Sequence, residues 1–195
     1  MKKDIFLMSK VPIKGNFKKR LSKQVGFIKS KRLICNNIEK IHKLFLRRKA
    51  YSMKYYVIPY KKFRSYSFSF YTKCILQSKG SLGDKMWYLI KSQHNPLIII
   101  GSDIPEINLK AISYSFEILR KYDAVIGPTY DGGFWLIGYS IKKKYLNPFE
   151  SIRWSTKNTL SDLIINLKKM KLSYGFTHKL RDIDNKADYC ENIKN

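Results

Sequence analysis

Acidic side chains are scarce in this chain, and several of them fall directly after predicted strands. Of its 195 residues, 39 are Lys or Arg and 14 are Asp or Glu. Asp103 lies in GSDIPEI, Asp131 in GPTYDGGFWLIG, and Asp182 and Asp184 in RDIDNKADY. A single Asp after a strand more often caps a helix or a turn. Three strand ends that present carboxylates to one edge of a sheet instead indicate ligands for a hard divalent cation, because Mg²⁺ favours carboxylates together with phosphate oxygens.

The first predicted loop offers the cationic half of a nucleotide site. It follows the predicted strand Ile5–Met8 and reads KVPIKGNFKKRLS from Lys10 to Ser22. Gly15 allows the backbone to approach a phosphate, while Lys18 and Arg20 add positive charge at the start of a helix. A glycine-containing turn among many lysines needs no ligand, so the loop is informative mainly through its position after a strand.

Strands and helices alternate along the chain, and they are the elements that must position these side chains. Short apolar or alternating segments predict strands at Ile5–Met8, Tyr55–Ile58, Tyr66–Phe70, Leu97–Ile100, Ala124–Ile126, Phe134–Gly138, Ser173–Thr177 and Leu180–Ile183. Helical spacing of apolar residues and capping residues predict helices from Lys18, at Lys31–Met53, Gly83–Gln93 and Asn108–Tyr122, from the Ser155-Thr156 cap to Met170, and from Lys186. This alternation predicts an α/β fold with a mainly parallel (mixed) sheet and helices on both faces. Ligands of such sheets bind beyond the carboxyl ends of the strands.

Composition and charge bound the remaining possibilities. A chain of 195 residues with 44% hydrophobic residues predicts one folded domain rather than a disordered segment. The net charge of +25 suggests binding of a polyanion such as RNA or anionic lipid. Lysine in every segment favours compositional drift and a solvated surface instead. The longest aliphatic run, Leu97–Ile100, is too short to span a membrane and no secretory signal is evident, so a cytoplasmic protein is expected.

Six motifs follow one another along the chain: KVPIKGNFKKRL, QSKGSLGDKM, GSDIP, DAVIGPTYDGGFWLIG, WST and DIDNKADY. In their order and approximate spacing they resemble a small bacterial family of glycosyltransferase-A-like proteins called selenodomain-associated or DUF-type transferases. The family is similar in fold to nucleotide-diphospho-sugar transferases, including the guanylyltransferases of molybdenum-cofactor and deazaflavin-cofactor synthesis. The resemblance implies a single Rossmann-like glycosyltransferase-A domain over residues 1–195. It also implies a bound nucleotide or nucleotide-sugar, a small-molecule acceptor, and Mg²⁺ or Mn²⁺.

The resemblance further implies roles for individual residues. The phosphate-side loop is matched by Gly15, Lys18 and Arg20. Asp103, beside Ser102, matches the acidic position that meets the metal and the ribose, and Asp184 matches the second metal-side carboxylate. The acceptor-side or base-side loop is matched by Asp131, Gly132 and Gly133. Asp131 is then the candidate catalytic residue, which would orient or deprotonate an acceptor hydroxyl.

Three positions depart from the family pattern. Lys19 stands where the family commonly has Thr, Ser81 where it has Asp, and Lys85 where it has Arg. Three functions therefore stay open: a metal-dependent glycosyltransferase that uses a nucleoside-diphosphate sugar, a nucleotidyltransferase that acts on a phosphorylated small molecule, and a degenerate, non-enzymatic member that binds polyanions through its basic surface.

Overall fold

The computed structural model describes residues 3–11, 17–58, 74–143 and 145–194. Gly15 and the predicted strand Tyr66–Phe70 lie outside these residues. The described strands form one sheet with the order β3-β2-β1-β4-β6-β5-β7. Their bounds are β1 (Lys3–Lys10), β2 (Tyr51–Ile58), β3 (Cys74–Leu76), β4 (Leu97–Gly101), β5 (Ala124–Pro128), β6 (Phe134–Tyr139) and β7 (Tyr174–Phe176).

Only one of the described strands reverses direction. β6 runs antiparallel to β4 and β5, whereas the other pairings are parallel. The carboxyl ends of β1, β4, β5 and β7 therefore meet at one edge of the sheet, together with the start of β6. The predicted α/β class with a mainly parallel, mixed sheet is confirmed.

Six described helices cover the sheet: α1 (Lys19–Val25), α2 (Phe27–Phe45), α3 (Leu82–Ser92), α4 (Leu109–Lys121), α5 (Thr159–Lys169) and α6 (Lys186–Lys194). Ile34 of α2 and Ile112 of α4 belong to the apolar core on one face. Met86 of α3 and Leu163 of α5 belong to the core on the opposite face. The strand β4, of sequence LIIIG, is apolar on both sides because both of its faces are buried. No helix among the described residues is long and apolar enough to cross a membrane.

Three boundaries differ from the sequence-based expectations. The helix predicted over Lys31–Met53 ends at Phe45, and Tyr51–Ile58 forms a strand paired with β1 along its whole length. The segment Leu180–Ile183 is not a strand beyond a single bridge from Leu180 to Thr129. The last long helix begins at Thr159 with Asn158 as its N-cap, and Thr156 Oγ1 accepts a hydrogen bond from Asn158 N just before that cap.

Two of these differences, at Tyr51–Ile58 and after Leu180, have a physical cause in the packing. Tyr51 and Met53 pack on the same core as Tyr55 and Val57, which is the period of two that a strand requires. The backbone after Leu180 turns away from the sheet because Ile183 N donates to Asp103 O at 3.1 Å and Arg181 N donates to Glu106 Oε2 at 2.8 Å.

Candidate active site

Carboxylates from three chain segments converge at the carboxyl edge of the sheet. Asp103 follows β4, Asp131 lies in the turn between β5 and β6, and Asp182 and Asp184 lie in the segment after β7. Oxygen atoms of Asp131, Asp182 and Asp184 lie within 4.8 Å of one another. The structure therefore brings together the acidic residues that were singled out in the sequence.

Lys18 ties the two predicted metal ligands together. Its Nζ lies 2.5 Å from Asp103 Oδ2 and 2.5 Å from Asp184 Oδ1, and it also donates to Ile183 O at 3.3 Å. An ammonium group has three donor hydrogens, so these contacts use all of them. The phosphate contact expected of Lys18 stays a prediction; in this structure Lys18 lines the cavity and its charge is matched by protein groups.

Lys18 has an unusual backbone conformation, and its contacts affect its protonation. The residue precedes α1 in the left-handed region, with φ 38° and ψ 56°, which is uncommon for a non-glycine residue. Burial lowers the pKa of Lys18, but the neighbouring charges of Asp103 and Asp184 outweigh burial and raise the pKa above its ordinary value. Lys18 is therefore a permanent cation within the acidic cluster.

Asp182 shows the electrostatic cost of this cluster. Burial, and then the charges of Asp131, Asp184 and Asp103, raise the pKa of Asp182 to about 6. A bound cation would offset this repulsion, and hard oxygen ligands of this kind fit Mg²⁺ or Mn²⁺. The cation set that the geometry favours is Asp131, Asp182 and Asp184. It shares Asp184 with the predicted pair, and both members of that pair, Asp103 and Asp184, contact Lys18.

A cavity of about 740 Å³ opens beside Asp103. It lies over the ends of β1 and β4 and the start of β6, with Ser102, Asp103 and Gly101 on one wall. Phe134 and Trp154, whose rings meet edge to face with centroids 6.1 Å apart, contribute an aromatic wall. Ligand pockets for small molecules typically occupy about 300–1,000 Å³, so the volume suits a nucleotide-sized ligand.

The basic residues of the cavity are not all the predicted ones. Four lysines line it, Lys10, Lys18, Lys19 and Lys85, whereas Arg20 is exposed on α1 and does not. Two of the positions that depart from the family pattern, Lys19 and Lys85, thus bring positive charge to the cavity. The third, Ser81, caps α3: its Oγ accepts from Asp84 N at 3.2 Å, and its own N–H donates to Asp84 Oδ2 at 2.8 Å.

The loop around Asp131 has a structural role besides its place in the cluster. Asp131 Oδ1 accepts hydrogen bonds from Thr129 Oγ1 at 2.5 Å and from Gly133 N at 3.0 Å, which closes the turn. Gly132 has φ 88°, and a side chain there would meet the backbone of Lys157. The glycines are explained by the turn itself, and neither lines the described cavity.

Gln77 is a cavity residue that the sequence reading missed. It is buried, and its Nε2 donates to Tyr56 O at 2.8 Å and to Ser9 O at 3.1 Å. These bonds join the ends of β1 and β2 beneath the cavity. Gln77 is the first residue of the motif QSKGSLGDKM, but the motif implies no role for it, so only the tertiary structure reveals this role.

The motifs can now be compared with known families. Residues 60–156, about half of the chain, match the model of a family described as "Uncharacterized protein conserved in bacteria (DUF2064)". The predicted family resemblance is confirmed. The DUF2064 match includes Lys85, Asp103 and Asp131, but it stops short of Lys18 and Asp184 at either side. No curated protein sequence matches the chain significantly.

Several solved structures have a fold similar to that of this chain. A protein from Desulfovibrio desulfuricans G20, proposed to be a nucleotide-diphospho-sugar transferase, superposes with a TM-score of 0.83 at 23% identity, covering 95% of this chain and 84% of that one. CMP:2-keto-3-deoxy-manno-octonic acid synthetase in complex with CTP gives 0.62 at 11% identity, covering 100% and 97%. The inositol-1-phosphate CTP transferase of T. maritima gives 0.57 at 11% identity, covering 96% and 91%. At these identities the likeness shows a shared fold.

Proposed function

We propose that this protein is a metal-dependent transferase that uses a nucleoside-diphosphate sugar as donor and a small molecule as acceptor. The observation that carries the proposal is the convergence of Asp103, Asp131, Asp182 and Asp184 beside a cavity lined by lysines. The fold shared with a protein proposed to be a nucleotide-diphospho-sugar transferase, with a TM-score of 0.83, supports the donor class.

The arrangement divides the work between the two sides of the site. Asp182 and Asp184 would hold Mg²⁺ or Mn²⁺, which would neutralise charge on a leaving diphosphate. Asp131 lies beside them and is left for the acceptor. Lys19 and Lys85 line the cavity and would attract the phosphates, because the Lys18 ammonium is already matched by three protein acceptors. Lys18 would then act as a positioning residue that holds Asp103 and Asp184 in place.

The acceptor side is assigned to Asp131. One of its carboxylate oxygens, Oδ1, closes the turn through Thr129 and Gly133. Its other oxygen would orient or deprotonate an acceptor hydroxyl. The turn thus fixes the direction of the carboxylate, and its exposed position leaves room for an acceptor.

Binding measurements test the metal dependence. We expect nucleoside diphosphates and their sugars to raise the unfolding midpoint more with Mn²⁺ than with EDTA, because ligands that bind the native state stabilise it. Asp184→Asn should remove most of the Mn²⁺-dependent part. Glu150→Gln removes an exposed carboxylate outside the cluster and serves as the matched control. Equal nucleotide binding with and without metal would contradict the proposal.

A second candidate is nucleotidyl transfer from a nucleoside triphosphate to a phosphorylated small molecule. It is favoured by the likeness to two CTP-dependent enzymes over 96% or more of this chain. The leaving group separates the two reactions. Incubation of a pool of hydroxyl-bearing and phosphorylated small-molecule acceptors with a panel of nucleoside-diphosphate sugars and triphosphates should release nucleoside diphosphate if the first proposal holds, and pyrophosphate if the second holds.

A further inference from the structure

Among the described residues, the excess positive charge is concentrated in the segment 17–58, which forms α1, α2 and β2. Residues 17–58 contain 13 Lys or Arg and a single acid, Glu39, which gives a net charge of +12. Residues 74–143 contain eight basic and six acidic residues, a net charge of +2, and residues 145–194 contain nine and six, a net charge of +3. Uniform compositional drift does not explain this separation, because all three segments would share it.

The helix α2 carries much of this charge on its solvent side. Its inner positions are buried in the core on one face of the sheet. Its exposed positions include a stripe at Lys29, Arg32, Asn36, Lys40 and Lys43. At about 100° per residue the stripe covers an arc of about 80°, and with a rise of about 1.5 Å per residue it extends for about 21 Å. The stripe is therefore straight and nearly parallel to the helix axis.

Two large apolar side chains flank this stripe. Ile28 is 80% exposed and Leu46 is 63% exposed. They are 18 residues apart, which is five helical turns or about 27 Å, so they lie on the same side of α2. Leu46 keeps helical backbone angles, φ −51° and ψ −40°, one residue beyond the end of the helix.

We propose that the outer face of α2 docks the protein on an anionic lipid bilayer. A helix that lies in the bilayer interface combines cationic residues for lipid phosphates with apolar side chains that enter the acyl boundary, and α2 presents both. Single-stranded RNA is favoured by stacking on aromatic rings. Between residues 17 and 58 the large hydrophobic side chains that are exposed are Ile28 and Leu46, neither of them aromatic.

The stripe contains charges that are available to a lipid phosphate. Lys40 Nζ donates to Pro105 O at 2.6 Å, and Lys43 pairs with Glu39 at 2.8 Å. Lys29 and Arg32, in the first half of the helix, are therefore the residues whose removal tests the contact. Each basic residue near an anionic membrane contributes about a fivefold change in affinity, so removal of these two charges should weaken binding about 25-fold.

Vesicle sedimentation tests the proposal with the full chain. We expect binding to vesicles of phosphatidylcholine with phosphatidylglycerol, none to phosphatidylcholine alone, and a decrease as salt shortens the Debye length. Lys29→Glu with Arg32→Glu should reduce binding by at least about 25-fold. Lys168→Glu with Lys169→Glu, exposed residues on α5, changes the net charge equally and should leave binding unchanged. Lys29→Gln with Arg32→Gln serves as a milder variant if the reversed pair unfolds.

The apolar flank distinguishes lipid from other polyanions. Ile28→Ser with Leu46→Ser leaves the charge unchanged and should still weaken vesicle binding. The proposal is overturned if vesicles are not bound, if the α5 control loses as much binding as the α2 variant, or if the serine variant binds as the unaltered protein does. Binding to a single-stranded RNA without binding to vesicles assigns the surface to nucleic acid instead. None of these outcomes depends on transferase activity, so the docking surface and the proposed function fail separately.

Discussion

Replacement of Lys18 by Met tests whether this residue holds the acidic cluster together. Met keeps an unbranched apolar side chain but removes the ammonium that contacts Asp103, Asp184 and the Ile183 carbonyl. The side chain of Lys18 is 20% exposed, that of Asp103 28% and that of Asp184 43%. Removing one partner of a buried pair costs about 3–5 kcal/mol, whereas an exposed pair contributes about 0–1 kcal/mol.

These partly exposed pairs lie between the two limits, so we expect the free energy of unfolding to fall by about 2 kcal/mol. With a urea m-value of about 2 kcal/mol per molar, the unfolding midpoint should decrease by about 1 M. Lys19→Met is the matched control, because Lys19 is an exposed neighbour that lines the same cavity. Its midpoint should change little.

Mn²⁺ should reverse the loss. Without the ammonium, Asp103 and Asp184 are free to attract a divalent cation, and we expect Mn²⁺ to bind Lys18→Met about tenfold more tightly than the unaltered protein, equivalent to about 1.4 kcal/mol. A free concentration of 100 times the Kd then stabilises the native state by about 2.7 kcal/mol. Urea unfolding with Mn²⁺ and with EDTA measures both effects. Equal Mn²⁺ stabilisation of the variant and the unaltered protein would refute the reasoning.

Three further predictions concern single positions. Burial raises the pKa of Asp123, but hydrogen bonds from Ser173 and Lys143 outweigh burial and lower the pKa. Asp123→Asn should therefore reduce the free energy of unfolding at pH 7. In urea titrations, the difference in this free energy between the variant and the unaltered protein should shrink as the pH falls below about 4. Gly101→Ala places a methyl group 2.8 Å from Asp103 Oδ1, so the carboxylate must move. Calorimetry should show weaker Mn²⁺-dependent nucleotide binding, and the unfolding midpoint should fall less than in Lys18→Met because the contact between Lys18 and Asp184 remains. Gln77→Met leaves two buried carbonyls without their donor and should lower the free energy of unfolding by about 1–3 kcal/mol.

The elements that repeat over several turns were predictable from sequence. Ile34, Ile38 and Ile41 recur at helical spacing, and all three are buried on the inner face of α2. The end of α2 was not predictable from sequence, because Tyr51 and Met53 continue the apolar pattern of the helix and also fit the period of two of a strand. Pairing with β1 over the whole of β2 decides for the strand, and that contact is invisible in the local pattern.

The residue types of the site were predictable from sequence, but the contacts that each residue makes were not. Carboxylates after strands indicated a shared edge, and Asp103 and Asp184 do lie at one edge. The role of Lys18 was not accessible, since Asp184 is 166 residues away in sequence and phosphate was an equally reasonable partner. The bend after Leu180 likewise depends on a tertiary contact. Ile183 N donates a hydrogen bond to Asp103 O, which holds Asp182 and Asp184 near the other acids.

The balance of charge within the site argues for a cation from solution. Three carboxylates, those of Asp103, Asp131 and Asp184, surround Asp182, and Lys18 supplies a single positive charge within bonding distance of Asp103 and Asp184. Burial and the repulsion from these carboxylates raise the pKa of Asp182 to about 6. In a protein with a net charge of +25, lysines are abundant, yet one ammonium occupies this cluster among the described residues. The other three acids lie close together and are incompletely neutralised, so their mutual repulsion destabilises the arrangement. A bound divalent cation would remove this repulsion and would bring positive charge to the edge of the cavity where a diphosphate would lie.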